Sequence, residues 1–116
     1  MNEDFDKFLP LSPAALHILL ALVSEDRHGY GIMQEVARQS DGRSKLGPGT
    51  LYDNLEKLLN QGIVEDSTRR SQADDPRRRY YRLTGFGRRL LATEITRLEG
   101  VVRKAKSHLR VRPEKA

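Results

Sequence analysis

Apolar positions along the chain mark three short helices, a pair of short strands and one long final helix. Ser12 is a good N-cap, and Pro13 takes the first-turn position where its missing N–H costs nothing, so the first helix opens there. In residues 14–23 every side chain except His17 is apolar. Leu16, Leu19, Leu20 and Val23 share one face, while Ile18 and Leu22 lie opposite, so this helix needs cover on both sides. One side can cover the local core; the other asks for a second surface, most simply a partner subunit. A break over residues 24–29 leads to a second helical pattern carried by Tyr30, Met33, Val36 and Ala37, which ends in the polar, glycine-containing stretch 40–45. The third helix takes Gly47 as cap and Pro48 as first residue, sets Leu51, Leu55, Leu58 and Leu59 on one stripe, and stops at Gly62.

Residues 63–70 read as a strand with a short apolar start, and Tyr80-Tyr81-Arg82-Leu83 as a second, with Tyr81 and Leu83 on one side and Arg82 on the other. Turn chemistry over residues 71–76 joins them into a hairpin whose arms carry Arg69, Arg70, Arg77, Arg78 and Arg79. The last helix opens at Thr84 and runs to about Leu109. Leu91, Ile95, Leu98, Val102, Ala105 and Leu109 follow one another at 4, 3, 4, 3 and 4 residues, a heptad seam. Its roughly 26 residues would span roughly 39 Å, more than one small core can cover, so much of the seam should meet another chain. Helix, turn, helix and basic hairpin give a mainly α fold with a small β-hairpin: a winged helix-turn-helix followed by a long C-terminal dimerisation helix. Residues 1–10 are expected to form a loosely held arm, 11–83 the winged helix-turn-helix, 84–110 the dimerisation helix, and 111–116 a frayed tail.

Composition narrows what such a chain does. Its 116 residues suit one domain; the absence of cysteine excludes a disulfide framework, a thiolate nucleophile and cysteinyl metal sites. No apolar run is long enough to span a membrane, and the acidic opening lacks the features of a signal peptide, which predicts a cytoplasmic protein without membrane contact. The net charge of +5 hides a division: residues 1–66 hold 6 Lys/Arg against 11 Asp/Glu, residues 67–116 hold 15 against 5. A basic hairpin and last helix raise the expectation of a polyanion partner, with a solvated basic face as the plain alternative.

His28-Gly29-Tyr30-Gly31-Ile32, then the run from Gly49-Thr50-Leu51-Tyr52-Asp53-Asn54 to Gly62-Ile63-Val64, then Tyr80-Tyr81-Arg82-Leu83-Thr84 with Gly87, resemble the PadR-like transcriptional regulators. The single C-terminal helix looks like the smaller subclass of that family. Many members carry proline where this chain has Asp53, so base contacts of related proteins do not transfer across that position.

The resemblance implies binding to double-stranded DNA by a homodimer. On a helical wheel Gly49, Thr50, Asp53, Glu56, Lys57 and Asn60 point outward, with Tyr52 and Asn54 on the flanks. Thr50 can reach a phosphate or thymine methyl and Lys57 a phosphate or guanine edge. Asp53 either accepts from cytosine or stands off the DNA as a passenger. Tyr52 either meets a phosphate, as the resemblance suggests, or packs on the second helix with its hydroxyl wet. Lys45 and Gly49 complete the set at the helix start, where N–H groups attract phosphate, and the five hairpin arginines serve as an electrostatic anchor. Ile18, Leu22, Leu91, Ile95, Leu98, Val102, Ala105 and Leu109 are expected at the dimer interface. Two recognition helices about one DNA turn apart would read a pseudo-palindromic operator, and repression by promoter occlusion is implied by the resemblance alone. The resemblance also allows a small-molecule effector held between subunits, in an apolar pocket near Ile18, Leu22 and Leu98. His17, His28 and His108 stand apart, no metal, cofactor or nucleophile pattern is present, and an enzyme is not expected. The alternative from another class is a winged-helix protein-interaction module whose DNA contact is incidental.

Overall fold

A computed structural model describes residues 4–68 and 78–111. A single 3-10 turn, Asp6–Phe8, precedes helix α1, Pro13–Leu22. Strand β1, Arg27–His28, leads into α2, Gly29–Gln39, and α3, Pro48–Asn60. Strands β2, Val64–Ser67, and β3, Tyr80–Leu83, follow, and α4 runs over Gly85–Val111. The strands form an antiparallel sheet in the order β1-β3-β2. This is the expected mainly helical architecture with a small sheet and a long last helix.

The caps explain where the helices begin. Ser12 Oγ accepts from the Ala15 N–H at 3.1 Å with Pro13 in the first turn. His28, read as a turn residue, caps α2: its Nδ1 accepts from the Gly31 N–H at 3.0 Å. Thr84 Oγ1 accepts from the Gly87 N–H at 2.9 Å at the head of α4. The C-terminal carbonyls of α1 are met by two arginines, Arg27 Nε on Ala21 O at 2.7 Å and Arg88 on Val23 O at 3.2 Å. Arg88 thereby ties α4 to α1.

The core corrects the reading of α1. Ile18 and Leu22, expected to face a partner, are fully buried inside the chain, because α2, α3, β3 and α4 all pack on this helix. Its less covered side carries Leu16, Leu20 and the exposed Val23. The apolar pocket expected near Ile18, Leu22 and Leu98 is therefore closed at two of its three walls. In α2 the core face is Gly29, Ile32 and Val36; of the expected stripe Val36 is buried and Met33 packs against the core, while Tyr30 is 56% exposed. Leu91 belongs to the core of its own chain, and Ile95 packs against that core.

Nor is the described part of the N-terminal arm loose. Phe5 and Phe8 each lie 5.5 Å, centroid to centroid, from Phe86 of α4. The Leu11 N–H donates to Glu94 Oε2 at 3.0 Å, and Arg97 Nε donates to Glu94 Oε1 at 2.7 Å. Glu94 is thus a buried carboxylate with its oxygens satisfied, tying arm to long helix. Glu35, also buried, accepts from Arg38 Nε at 2.9 Å and Gln39 Nε2 at 2.9 Å, with Arg27 at 3.6 Å.

These partners set an acid limit on stability. The Arg38 hydrogen bonds, opposed by burial and helped by Arg27 and Gln39, lower the Glu35 carboxyl to about 2. The Arg97 hydrogen bonds, opposed by burial and helped by the Leu11 N–H, also hold Glu94 below the usual carboxylate range. Folded values under the unfolded value of 4.5 mean that the unfolded chain takes up protons first. The contribution of both groups is whole above about pH 4.5 and is lost as pH falls through their lowered folded values, for Glu35 about 2. Thermal melts followed by circular dichroism between pH 6 and pH 3 should show this decline, and Glu35→Gln should make it shallower while lowering stability at neutral pH.

Candidate nucleic-acid interface

The turn before α3 is held from several sides. Ser40 Oγ donates to Val36 O at 2.9 Å and accepts from the Ser44 N–H at 2.8 Å, while Asp41 and Gly42 turn the chain with φ of 54° and 79°. His17 Nε2 lies 3.3 Å from Ser44 Oγ, so α1 also braces this turn. Gly47 then caps α3 with extended backbone, and burial of Leu51, Leu55 and Leu58 fixes which way the helix is rolled. Lys45, Gly49, Thr50, Tyr52, Asp53, Glu56 and Lys57 are left exposed. Asn54 turns inward enough to donate to Thr50 O at 2.9 Å.

The exposed residues of α3 divide between two flanks. Tyr52 faces the sheet side, where it lines a groove of about 310 Å³ with His28, Gly29, Tyr30, Arg78, Arg79 and Tyr81. Glycine at 29 makes this possible: a Cβ there would sit 2.1 Å from the Tyr52 hydroxyl. Tyr52 therefore packs on α2 through its hydroxyl end, yet remains 48% exposed. Lys57 lies on the other flank, lining a separate recess with Phe8, Pro10, Leu11 and Asn54. The structure thus brings Tyr52 and the described hairpin arginines together, and sets Lys57 apart from them.

Arg69, Arg70 and Arg77 lie outside the described residues. Arg78 Nη1 is 2.8 Å from His28 Nε2, and the His28 ring meets Tyr80 edge to face at 5.1 Å. Arg79 makes a two-pronged pair with Asp66, its Nη2 at 3.0 Å from Oδ2, and lies over the Tyr81 ring at 5.4 Å. Burial pushes the Tyr81 hydroxyl up, partly offset by Arg79. Arg82 pairs with Glu65 at 2.8 Å across the β2–β3 register. Counting arginines in the sequence overstated the uncompensated charge at the base of this hairpin, because the cross-strand carboxylates neutralise part of it.

Tyr30, read as part of the apolar stripe of α2, instead lies half exposed in the groove beside Tyr52. Its place two residues after the capping His28, in a helix whose core stripe is better fitted by Ile32 and Val36, was the available signal. On α4, residues 101–110 are all exposed. Val102 is 51% and Leu109 74% exposed, and a shallow apolar groove follows Ile95, Leu98 and Val102 with Glu99, Arg103 and Lys106 beside it. Among the described residues no group of His, Asp or Glu could hold a metal, and no helix is long and apolar enough to cross a membrane.

Comparison with known proteins places this architecture. The transcriptional regulator Rv3488 of Mycobacterium tuberculosis is 34% identical over 88 residues, spanning 76% of this chain and 78% of that protein. A PadR family transcription regulator from Clostridium difficile superposes with a TM-score of 0.68 at 25% identity, covering 84% of this chain and 99% of the other. The fold is shared too by Bacillus subtilis PadR, solved in complex with operator DNA, with a TM-score of 0.59 and 22% identity over 70% of this chain and 45% of that one. These are regulators and not enzymes, in line with the sequence. A match to the family profile extends over residues 18–93, more than half of the chain, from the middle of α1 into the first part of α4, so the protein belongs to the transcriptional regulator PadR-like family.

Proposed function

We propose that the protein is a homodimeric, sequence-specific binder of double-stranded DNA that represses by occluding a promoter in the cytoplasm. The observation that carries this reading is the exposed first half of α3, Gly49, Thr50, Tyr52 and Asp53, with Tyr52 in one groove with Arg78. A Cβ at Gly49 would meet nothing within 4 Å, so the protein's own packing does not ask for glycine there. Gly49 is the second residue of α3, and close approach of a DNA backbone or base edge gives a side chain of no bulk there a purpose. In this reading α3 enters the major groove, Thr50 and Asp53 face bases, and Lys45, Tyr52 and Lys57 meet the backbone. The hairpin arginines, including Arg69, Arg70 and Arg77, track phosphates or a narrow minor groove. Residues 11–83 form the DNA-binding unit and 84–110 the dimerisation helix, joined to a second copy along Leu98, Val102, Ala105 and Leu109. A small effector would find room between subunits along Ile95, Leu98 and Val102.

The rival reading, a protein-interaction module, draws on the carboxylates Asp53 and Glu56 on the exposed α3 face and on the pairing of Arg79 with Asp66. Gel shifts with the protein's own upstream DNA separate the two. With six to ten phosphate contacts in a dimer, affinity should fall by roughly 10³ to 10⁵ between 50 and 200 mM salt. Retardation should survive excess unrelated competitor. Absence of any shift at low salt contradicts DNA binding, and equal competition by every duplex contradicts sequence specificity.

A further inference from the structure

The groove between α2, α3 and β3 has a lining that selects for one kind of group. Two tyrosine hydroxyls and a guanidinium can converge there, from Tyr30, Tyr52 and Arg78, with the Gly29 backbone as floor. Among the described residues no carboxylate lines it. Arg79 is held by Asp66 at its edge, which leaves Arg78 to supply the charge. Tyr30 and Tyr52 are both about half exposed, although burying either ring would have added to a small core. With guanidinium and hydroxyl groups in the lining and no carboxylate among the described residues there, the fitting ligand is an anion with several acceptor oxygens.

We infer that this groove seats one phosphodiester of the DNA backbone, with Tyr30 as a DNA-positioning residue alongside Tyr52 and Arg78. The inference rests on the DNA-binding reading above and adds to it a residue from outside the recognition helix. Tyr52 spans α3 and α2, its hydroxyl seated against Gly29, so a phosphate held between Tyr30 and Tyr52 would fix the depth and register of α3 relative to the duplex. A contact of this kind positions without reading sequence.

The test titrates wild type, Tyr30→Phe and Arg78→Gln against two labelled duplexes of equal length, one carrying the protein's own upstream DNA and one unrelated. Loss of one neutral hydroxyl donor should weaken binding to both duplexes by the same factor, about three- to tenfold, with no change in salt dependence. Arg78→Gln should also weaken both and reduce the slope of log affinity against log salt by about one. Phenylalanine preserves the ring and its packing, so the thermal midpoint of Tyr30→Phe should match wild type. Wild-type affinity in Tyr30→Phe, or a loss confined to the upstream duplex, would overturn the inference. Failure of the wild-type protein to bind either duplex would instead remove the DNA-binding reading beneath it, so the two failures are distinguishable.

Discussion

Val102→Glu combined with Leu109→Glu is expected to leave a folded monomer whose affinity for its DNA is lower by roughly 10² to 10⁴, the advantage that linking two binding modules confers. Both side chains are more than half exposed within the chain, so replacing them removes nothing from its own core. The whole of residues 101–110 is exposed as well, and a helix this long with a heptad seam gains its cover from a second helix. Four glutamates facing one another across a twofold seam would be desolvated without partners, which no surface pair elsewhere could offset. Ile95 is a poorer choice, because it already packs on the domain core and its loss would confound folding with assembly. Sedimentation should report half the wild-type mass with an unchanged circular dichroism spectrum below the melting transition. A double variant with the wild-type mass would show that the seam is not the interface.

Gly87→Ala carries the largest expected cost to stability. A Cβ at this position would lie 2.1 Å from the carbonyl oxygen and 3.0 Å from the carbonyl carbon of Ile63, both backbone atoms that no rotamer change can move. The same junction is bolted by Thr84, whose N–H donates to Ile63 O at 3.1 Å and whose hydroxyl donates to Gly62 O at 2.6 Å. Accommodating one methyl there means lifting α4 from the end of α3, an overpacking cost of about 2–3 kcal/mol and a fall in melting temperature on the order of 10 °C. Gly49→Ala provides the contrast, since its new methyl meets open space and leaves stability unchanged or slightly raised. A Gly87→Ala protein that melts with the wild type would mean that the close approach of α4 to Ile63 is not a feature of the folded state.

Local signals carried most of the helix boundaries. Ser12 with Pro13, Gly47 with Pro48, and Thr84 each mark a start by capping chemistry that acts within four residues, and all three starts coincide with the structure. What depends on partners distant in sequence was not legible. The apolar composition of α1 demanded burial on all sides but could not say by what, and the answer for Ile18 and Leu22 was the chain's own α2, α3, β3 and α4. Strand β1 is two polar residues long and exists because Arg27 and His28 pair with Tyr81 and Tyr80, an arrangement that leaves no periodicity to read. Phe5 and Phe8 find their partner in Phe86, some eighty positions on, a pairing that no local pattern announces. At the candidate interface the exposed residues of α3 followed from its leucine stripe. The neutralisation of Arg79 and Arg82 required the β2–β3 register, and the exposure of Tyr30 required knowing that Ile32 and Val36 already fill the face toward the core.

Hydroxyl-radical footprinting of the upstream DNA bears most directly on the claim that two copies of this chain place their α3 helices and hairpins on one duplex. The account predicts two protected stretches related by a twofold axis, with centres about 10 base pairs apart, each flanked by protection of the backbone where the hairpin arginines lie. A single unpaired patch, or protection that spreads evenly along the duplex without preferred position, would contradict it.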